Sequence, residues 1–213
     1  MVTRNETAEA YGRRAAEYAE LFGDMGSVHP DDAQLVGSWA STLGGRVLDA
    51  GCGPGQWTAF LAGRGVDAVG LDATEEFVRL AREAFTDTEF RHASFDELDA
   101  PSGSIGGILA WYSLIHHEPS TIDVPLAEFA RVLRPGGGLL VGFFDGDRLE
   151  AFDHQVVTAW RWPLRELAER LEMAGFEVLE THRRETPGQR PHGAIVARRI
   201  GEVSEPGRTG DEA

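Results

Sequence analysis

One run constrains the fold of this chain more than any other: Val47-Leu48-Asp49-Ala50-Gly51-Cys52-Gly53-Pro54-Gly55. A short apolar stretch passes directly into a turn with glycines at 51, 53 and 55, and an amphipathic segment, Trp57–Ala62, follows. Glycines let backbone approach a ligand with no Cβ in the way, and a helix start offers free N–H groups to it. Strand, glycine turn and helix in that order open a parallel α/β sheet whose ligand lies off the strand ends. A dinucleotide fingerprint would want glycine at 56, where this chain has Gln56. Asp49 would meet a diphosphate with like charge, so the turn suits a cationic or zwitterionic ligand, most simply an ammonium beside Asp49.

The spacing that follows extends the pattern. Strand candidates are Arg46–Ala50, Ala68–Asp72, Glu89–His92, Ile105–Trp111 and Gly138–Phe144, separated by helical stretches Trp57–Ala62, Glu75–Phe85 and Val124–Leu133. Two more strands, Phe176–Leu179 and Gly193–Ala197, follow a helix that Pro163 starts and Gly175 ends. Helices about Glu6–Phe22 and Asp31–Leu43 precede the first strand. The expected fold is α/β: a Rossmann-like, seven-stranded, mostly parallel sheet with helices on both faces and an N-terminal helical cap. Residues 1–200 are expected to form one domain, with 1–44 as the cap, 45–200 as the core and 201–213 as a flexible tail.

Composition narrows the partners. The 213 residues carry a formal charge of −15, and all 20 basic residues are arginine. So acidic a chain repels phosphate backbones and anionic lipid heads, which argues against nucleic acid and membrane surfaces. Without lysine, Schiff-base and P-loop chemistry are excluded. Cys52 is the sole cysteine, so neither an internal disulfide nor a multi-cysteine metal site can form. Met1 to Glu9 has no apolar signal stretch, and no window approaches 18 apolar residues. A cytoplasmic setting is expected.

Asp72 ends the second strand just over 20 residues past the start of the turn, where a carboxylate can accept from ribose hydroxyls; the alternative is that it only caps the next helix. With the glycine turn, the acidic strand end and the later Ala130-Arg131-Val132-Leu133-Arg134-Pro135-Gly136-Gly137, the chain resembles class I S-adenosylmethionine-dependent methyltransferases over about residues 10–200. The resemblance implies S-adenosylmethionine as cofactor, with S-adenosylhomocysteine as product. Its methionine end would be held by Asp49, Ala50, Gly51, Cys52, Gly53 and Gly55, its ribose by Asp72 beside Ala73. Ser94 and Phe95 would meet the adenine, with serine standing where many relatives carry aspartate. Gly106 likewise replaces an acidic residue frequent in the family. Tyr11, on one helical face with Ala15, Tyr18 and Phe22, is either core packing or part of a lid over the cofactor.

The acceptor should gather where strands four and five end. Strand four runs into Trp111-Tyr112-Ser113-Leu114-Ile115-His116-His117, placing Trp111 toward the cofactor. Methyl transfer to a hydroxyl or amine benefits from a base near neutrality, so His116 or His117 is the catalytic candidate and Tyr112 a positioning group. Neighbouring residues point apart, so one histidine of the pair should face the site, and a purely structural role for both is the alternative. The family's base-methylating branches often carry Asn/Asp-Pro-Pro-aromatic after this strand, which this chain lacks. Strand five brings Phe144 toward the acceptor, and downstream His154 with Trp160, Arg161 and Trp162 are candidates to clamp a planar or anionic acceptor, unless the two tryptophans only anchor the connection to the last helix. Asp145 and Asp147 lie in a glycine turn, and no metal is expected. The resulting expectation is O- or N-methylation of a small organic acceptor. The alternatives are a non-catalytic S-adenosylmethionine-binding protein and a methyltransferase for protein or RNA.

Overall fold

The computed structural model describes residues 4–154 and 156–201; all but the first residue of the expected tail lies outside them. The helices are α1 (Arg4–Phe22), α2 (Pro30–Ser41), α3 (Gln56–Ala62), α4 (Glu75–Ala84), α5 (Asp123–Val132) and α6 (Leu164–Met173). The strands are β1 (Val47–Ala50), β2 (Ala68–Asp72), β3 (Glu89–His92), β4 (Ile105–Trp111), β5 (Leu133–Asp145), β6 (Glu150–Phe152), β7 (Ala159–Trp162), β8 (Phe176–Arg184) and β9 (His192–Arg199). Strands β3-β2-β1-β4-β5 are parallel neighbours in that order, β9 runs antiparallel to β5, and β8 antiparallel to β9. These are the seven strands expected from sequence. The remaining two, β6 and β7, form a hairpin whose β7 pairs with Phe144 and Asp145 of β5, past the point where β4 ends at Trp111. The segment read as a possible acceptor clamp is therefore partly sheet, because β5 outruns β4 and leaves an edge to be paired.

Burial explains why the central strands read as continuous apolar runs. Every residue of β1 and β2 is buried, as it must be in a parallel sheet covered on both faces. One side packs Phe129 and Leu126 of α5 with Leu167 and Leu171 of α6; the other packs Trp39 of α2 with Trp57 and Leu61 of α3. Full burial of each such side chain contributes about 1.5–3 kcal/mol. Gly106 in β4 has a steric reason: a Cβ there would overlap the Gly44 carbonyl oxygen. That close approach explains why an acidic side chain is missing at this position.

After β3 the chain returns across β1 to start β4, so the strand order reverses between β1 and β4. There the connections leave on opposite faces and open a crevice at the carboxyl ends of the strands. The glycine turn after β1 and the Trp111–His117 segment after β4 both lie at this reversal.

Candidate active site

The three glycines of the turn all take positive φ, +81° at Gly51, +53° at Gly53 and +93° at Gly55, but do different jobs. A Cβ on Gly51 would overlap that of Ser113, and one on Gly55 would meet the Phe90 ring at 2.8 Å and Ala81 at 2.9 Å. A Cβ on Gly53 would meet nothing within 4 Å. Two glycines thus let protein elements touch, and the third leaves space above the turn. The Gly51 and Cys52 amides donate to the Leu71 carbonyl at 2.7 and 2.9 Å, fixing the turn to the end of β2.

Over the turn lies a cavity of about 350 Å³, within the range of roughly 300–1,000 Å³ usual for small-molecule sites. Gly51 and Gly53 line one end, with Asp72 and Ala73 beside them; Ser94 and Phe95 line a wall. Asp72 accepts from the Gly53 amide at 2.9 Å and the Thr74 amide at 2.7 Å. It therefore supports the start of α4 and also lines the cavity. Burial raises its carboxyl above the usual range, while both amide bonds pull it down.

Asp49 is placed differently from the expected ammonium contact. It is 1% exposed, lies under the turn outside the cavity lining, and accepts from the Thr58 hydroxyl at 2.7 Å. Burial pushes its carboxyl up to about 7, the Thr58 bond only partly opposing this. The reason is register: Asp49 pairs with Gly70 and Leu109 inside the sheet, one residue before the chain turns outward. Ala50, Cys52 and Gly55 also stay out of the lining; Cys52 points into an apolar cluster with Val78, Ala81 and Phe90.

The N-terminal helix roofs the cavity. Tyr11 and Tyr18 of α1 line it and pack on Phe77 of α4, with ring centroids 5.8 and 5.5 Å apart. This face of α1 thus packs against α4 and at the same time borders the cavity. The Tyr11 hydroxyl also reaches the segment after β4, bonding His116 Nε2 at 2.8 Å. His116 Nδ1 lies 2.9 Å from the Thr158 carbonyl, which can only accept, so this nitrogen carries the proton. Nε2 is then the lone-pair nitrogen and accepts from Tyr11. Burial lowers the His116 pKa, keeping the ring neutral at pH 7.

Both histidines line the cavity, contrary to the expectation that one would turn away. A short 3-10 turn, Leu114–His116, rotates His116 toward α1, while His117 Nε2 lies 3.7 Å from Asp96 Oδ1 and its ring 5.6 Å from that of Phe95. Trp111 and Tyr112 line the cavity at the end of β4. Tyr112 takes φ +56°, a left-handed conformation costing a non-glycine residue roughly 1–2 kcal/mol. Its ring packs 5.0 Å from Phe144 and its hydroxyl bonds His192 Nδ1, contacts that offset the strain.

The other acceptor candidates stand behind this wall. Phe144 and Arg161 line a separate open hollow, Trp160 packs on β7 against the core, and His154 lies between His116 and Phe144, 5.4 and 6.1 Å from their rings. None of the four lines the cofactor-sized cavity. Asp145 is occupied structurally, pairing with Arg183 at 2.9 Å and accepting from the Leu164 amide at 3.2 Å. Among the described residues no three His, Cys, Asp or Glu are grouped to hold a metal. Sequence reasoning missed Asp96 and His192. Asp96 carried no local signal, and His192 arrives only because β9 pairs with β5 at Phe144.

Residues 47–137 match the family described as a methyltransferase domain. The malonyl-[acyl-carrier protein] O-methyltransferase of Erwinia billingiae is 28% identical over 161 residues, 75% of this chain and 60% of the relative. The ubiquinone biosynthesis O-methyltransferase of Hahella chejuensis is 29% identical over 122 residues, 55% of this chain and 51% of the relative. The chain spans roughly half to three-fifths of the length of these curated relatives. In fold it is similar to the Burkholderia thailandensis 1,6-didemethyltoxoflavin-N1-methyltransferase, solved with its substrate and S-adenosylhomocysteine, at TM-score 0.75 and 21% identity over 94% of this chain and 92% of that one. Residues 47–137, which hold the glycine turn and strands β1 to β4, are thereby a methyltransferase domain of the class I S-adenosylmethionine-dependent kind.

Proposed function

We propose that the protein transfers a methyl group from S-adenosylmethionine to a small organic acceptor, at oxygen or nitrogen, with residues 1–200 acting as one domain. The observation that carries the reading is the cavity itself: it opens at the strand-order reversal, with the Cβ-free space over Gly53 at one end and the Asp72 carboxylate beside it. Those residues fit a nucleoside carrying an amino-acid chain. Gly53 would admit the backbone-hugging methionine part, Asp72 the ribose hydroxyls, and Ser94 with Phe95 the base. Bound there, S-adenosylmethionine supplies an electrophilic methyl group on a sulfonium.

What the chain adds is alignment, exclusion of water and a place for the acceptor's proton. Tyr11 and Tyr18 close the roof, shielding the site from solvent. His116 is neutral, with its proton fixed on Nδ1 by Thr158, so Nε2 is the basic atom facing the cavity. An acceptor O–H or N–H taking the place of the Tyr11 hydroxyl would deliver its proton to Nε2. Tyr112, kept protonated by burial, positions the acceptor rather than acting as a base. His117, beside Asp96, supports the cavity wall. A reduced, buried Cys52 and the strongly acidic composition fit a cytoplasmic reaction on a metabolite rather than on nucleic acid.

Calorimetry with S-adenosylhomocysteine and with NAD tests the cofactor reading: the first should bind and the second should not. Tight NAD binding would overturn it. A small-molecule library screened with labelled methyl donor then identifies the acceptor, and labelling confined to protein or RNA would overturn the small-acceptor reading.

A further inference from the structure

Behind the Tyr112 wall, the carboxyl end of β5, strand β7 and the segment leading into β9 enclose an open hollow of about 670 Å³. Its lining is unusual for a chain of charge −15: Phe144, Arg161, Arg190 and His192, with glycine, glutamine and proline, and no carboxylate. Arg190 has no carboxylate partner among the described residues. Its guanidinium stands 4.8 Å from the Phe152 ring centroid and 6.0 Å from that of Phe144, and donates to the Asp153 carbonyl at 3.5 Å. Arg161 meets Glu150 through Nη1 at 3.2 Å, yet that carboxylate is shared with Arg148 at 2.9 Å, and Arg161 Nε is buried with no hydrogen-bond partner. Two guanidiniums thus face one hollow with less than one carboxylate between them, in a molecule where most arginines are paired.

The hollow adjoins the reaction site through two residues. Phe144 packs on Tyr112, and His192 bonds the Tyr112 hydroxyl, while Tyr112 lines the cofactor-sized cavity. Guanidinium forks match carboxylate and phosphate oxygens, and stacking on aromatic rings holds them in place without neutralising them. We infer that this hollow anchors an anionic group of the methyl acceptor, a carboxylate or phosphate, between Arg161 and Arg190, with the acceptor body lying across Phe144 toward Tyr112. The acceptor is then an organic anion whose charged end is remote from the atom methylated. This rests on the methyltransferase reading above, and names the substrate class for it.

The test compares benzoate and phenyl phosphate with neutral phenol, measuring equilibrium binding by ligand-observed NMR on the full chain saturated with S-adenosylhomocysteine. At least one anion should bind about tenfold or more tightly than phenol, as charge-assisted hydrogen bonds predict. The arm that wins separates carboxylate from phosphate. The preference should vanish in Arg190→Gln and fall in Arg161→Gln and in Arg190→Lys, which keeps the charge but loses the planar fork, with S-adenosylhomocysteine affinity within twofold of wild type in all three. Equal binding of anions and phenol, no binding of either anion, or a preference that survives Arg190→Gln would overturn the inference. Failure of the wild type to bind S-adenosylhomocysteine would instead overturn the methyltransferase reading, and is measured separately in the same samples.

Discussion

Replacing Gly53 by alanine separates a glycine kept for a ligand from a glycine kept for packing. The new Cβ would meet no protein atom within 4 Å, so the only structural cost is the left-handed conformation at φ +53°. That cost is about 1–2 kcal/mol. For a chain of this size it lowers Tm by roughly 2–8 °C. Gly51→Ala carries the same backbone cost and also drives a methyl into Ser113, an overpacking that adds on the order of 1–3 kcal/mol. Ligand binding should reverse the ranking of damage per kcal/mol. In Gly53→Ala the methyl stands where the methionine part of the cofactor would approach, and one misplaced methyl weakens binding by roughly 10–200-fold. Thermal unfolding and calorimetry with S-adenosylhomocysteine, run on both variants, measure the two effects independently. Wild-type affinity in Gly53→Ala, or a loss of stability equal to that of Gly51→Ala, would refute the division of labour among these glycines.

Stability should depend on pH through two opposed sets of groups. Burial holds His116 and His192 below their ordinary 6.5 and drives His154 to about 4, so folded imidazoles refuse protons that unfolded ones accept. Their contribution is complete above pH 6.5 and is lost as pH falls toward 4. Asp49 works the other way, since the folded carboxyl keeps its proton up to about 7 against 3.8 unfolded, and its contribution is lost as pH rises through that window. In Asp49→Asn, urea denaturation should show stability climbing more steeply from pH 4 to 7 than in wild type; parallel curves would contradict the buried, protonated Asp49. Arg184 forms a two-pronged, half-buried pair with Asp32, one prong at 2.9 Å, joining β8 to α2. Arg184→Gln should cost roughly 1–3 kcal/mol in the same assay, and no measurable loss would make the pair ornamental. With a methylated acceptor in hand, His116→Ala should lower turnover about 10²–10⁴-fold at unchanged cofactor affinity; full turnover would leave His116 structural.

Much of the fold was written in local pattern. Largely apolar runs such as Val47–Ala50 and Ala68–Asp72 mark buried parallel strands, because a sheet covered on both faces has no solvent side to show. The glycine turn and Asp72 were legible for a similar reason: positive φ and close backbone approach leave few residue choices, and the acidic strand end follows at fixed spacing. The hairpin β6–β7 was not legible, since Glu150–Phe152 and Ala159–Trp162 are too short to show a period and form only because β5 outruns β4.

The sequence by itself determined the sheet, the turn and the chemistry available at the strand ends. Tertiary structure decided which of those groups meet. Asp49 reads as a ligand contact from its place in the motif, yet the register of β1 keeps it beneath the turn, where burial pushes it up to about 7. Tyr11 and His116 are 105 residues apart and become partners because α1 folds over the cavity. Arg161, Arg190 and His192 share a hollow only because β7 and β9 both pair with β5. Hydrogen-bond periodicity is local and readable along a chain, whereas the convergence of side chains depends on strand order and register, which no short stretch of sequence contains.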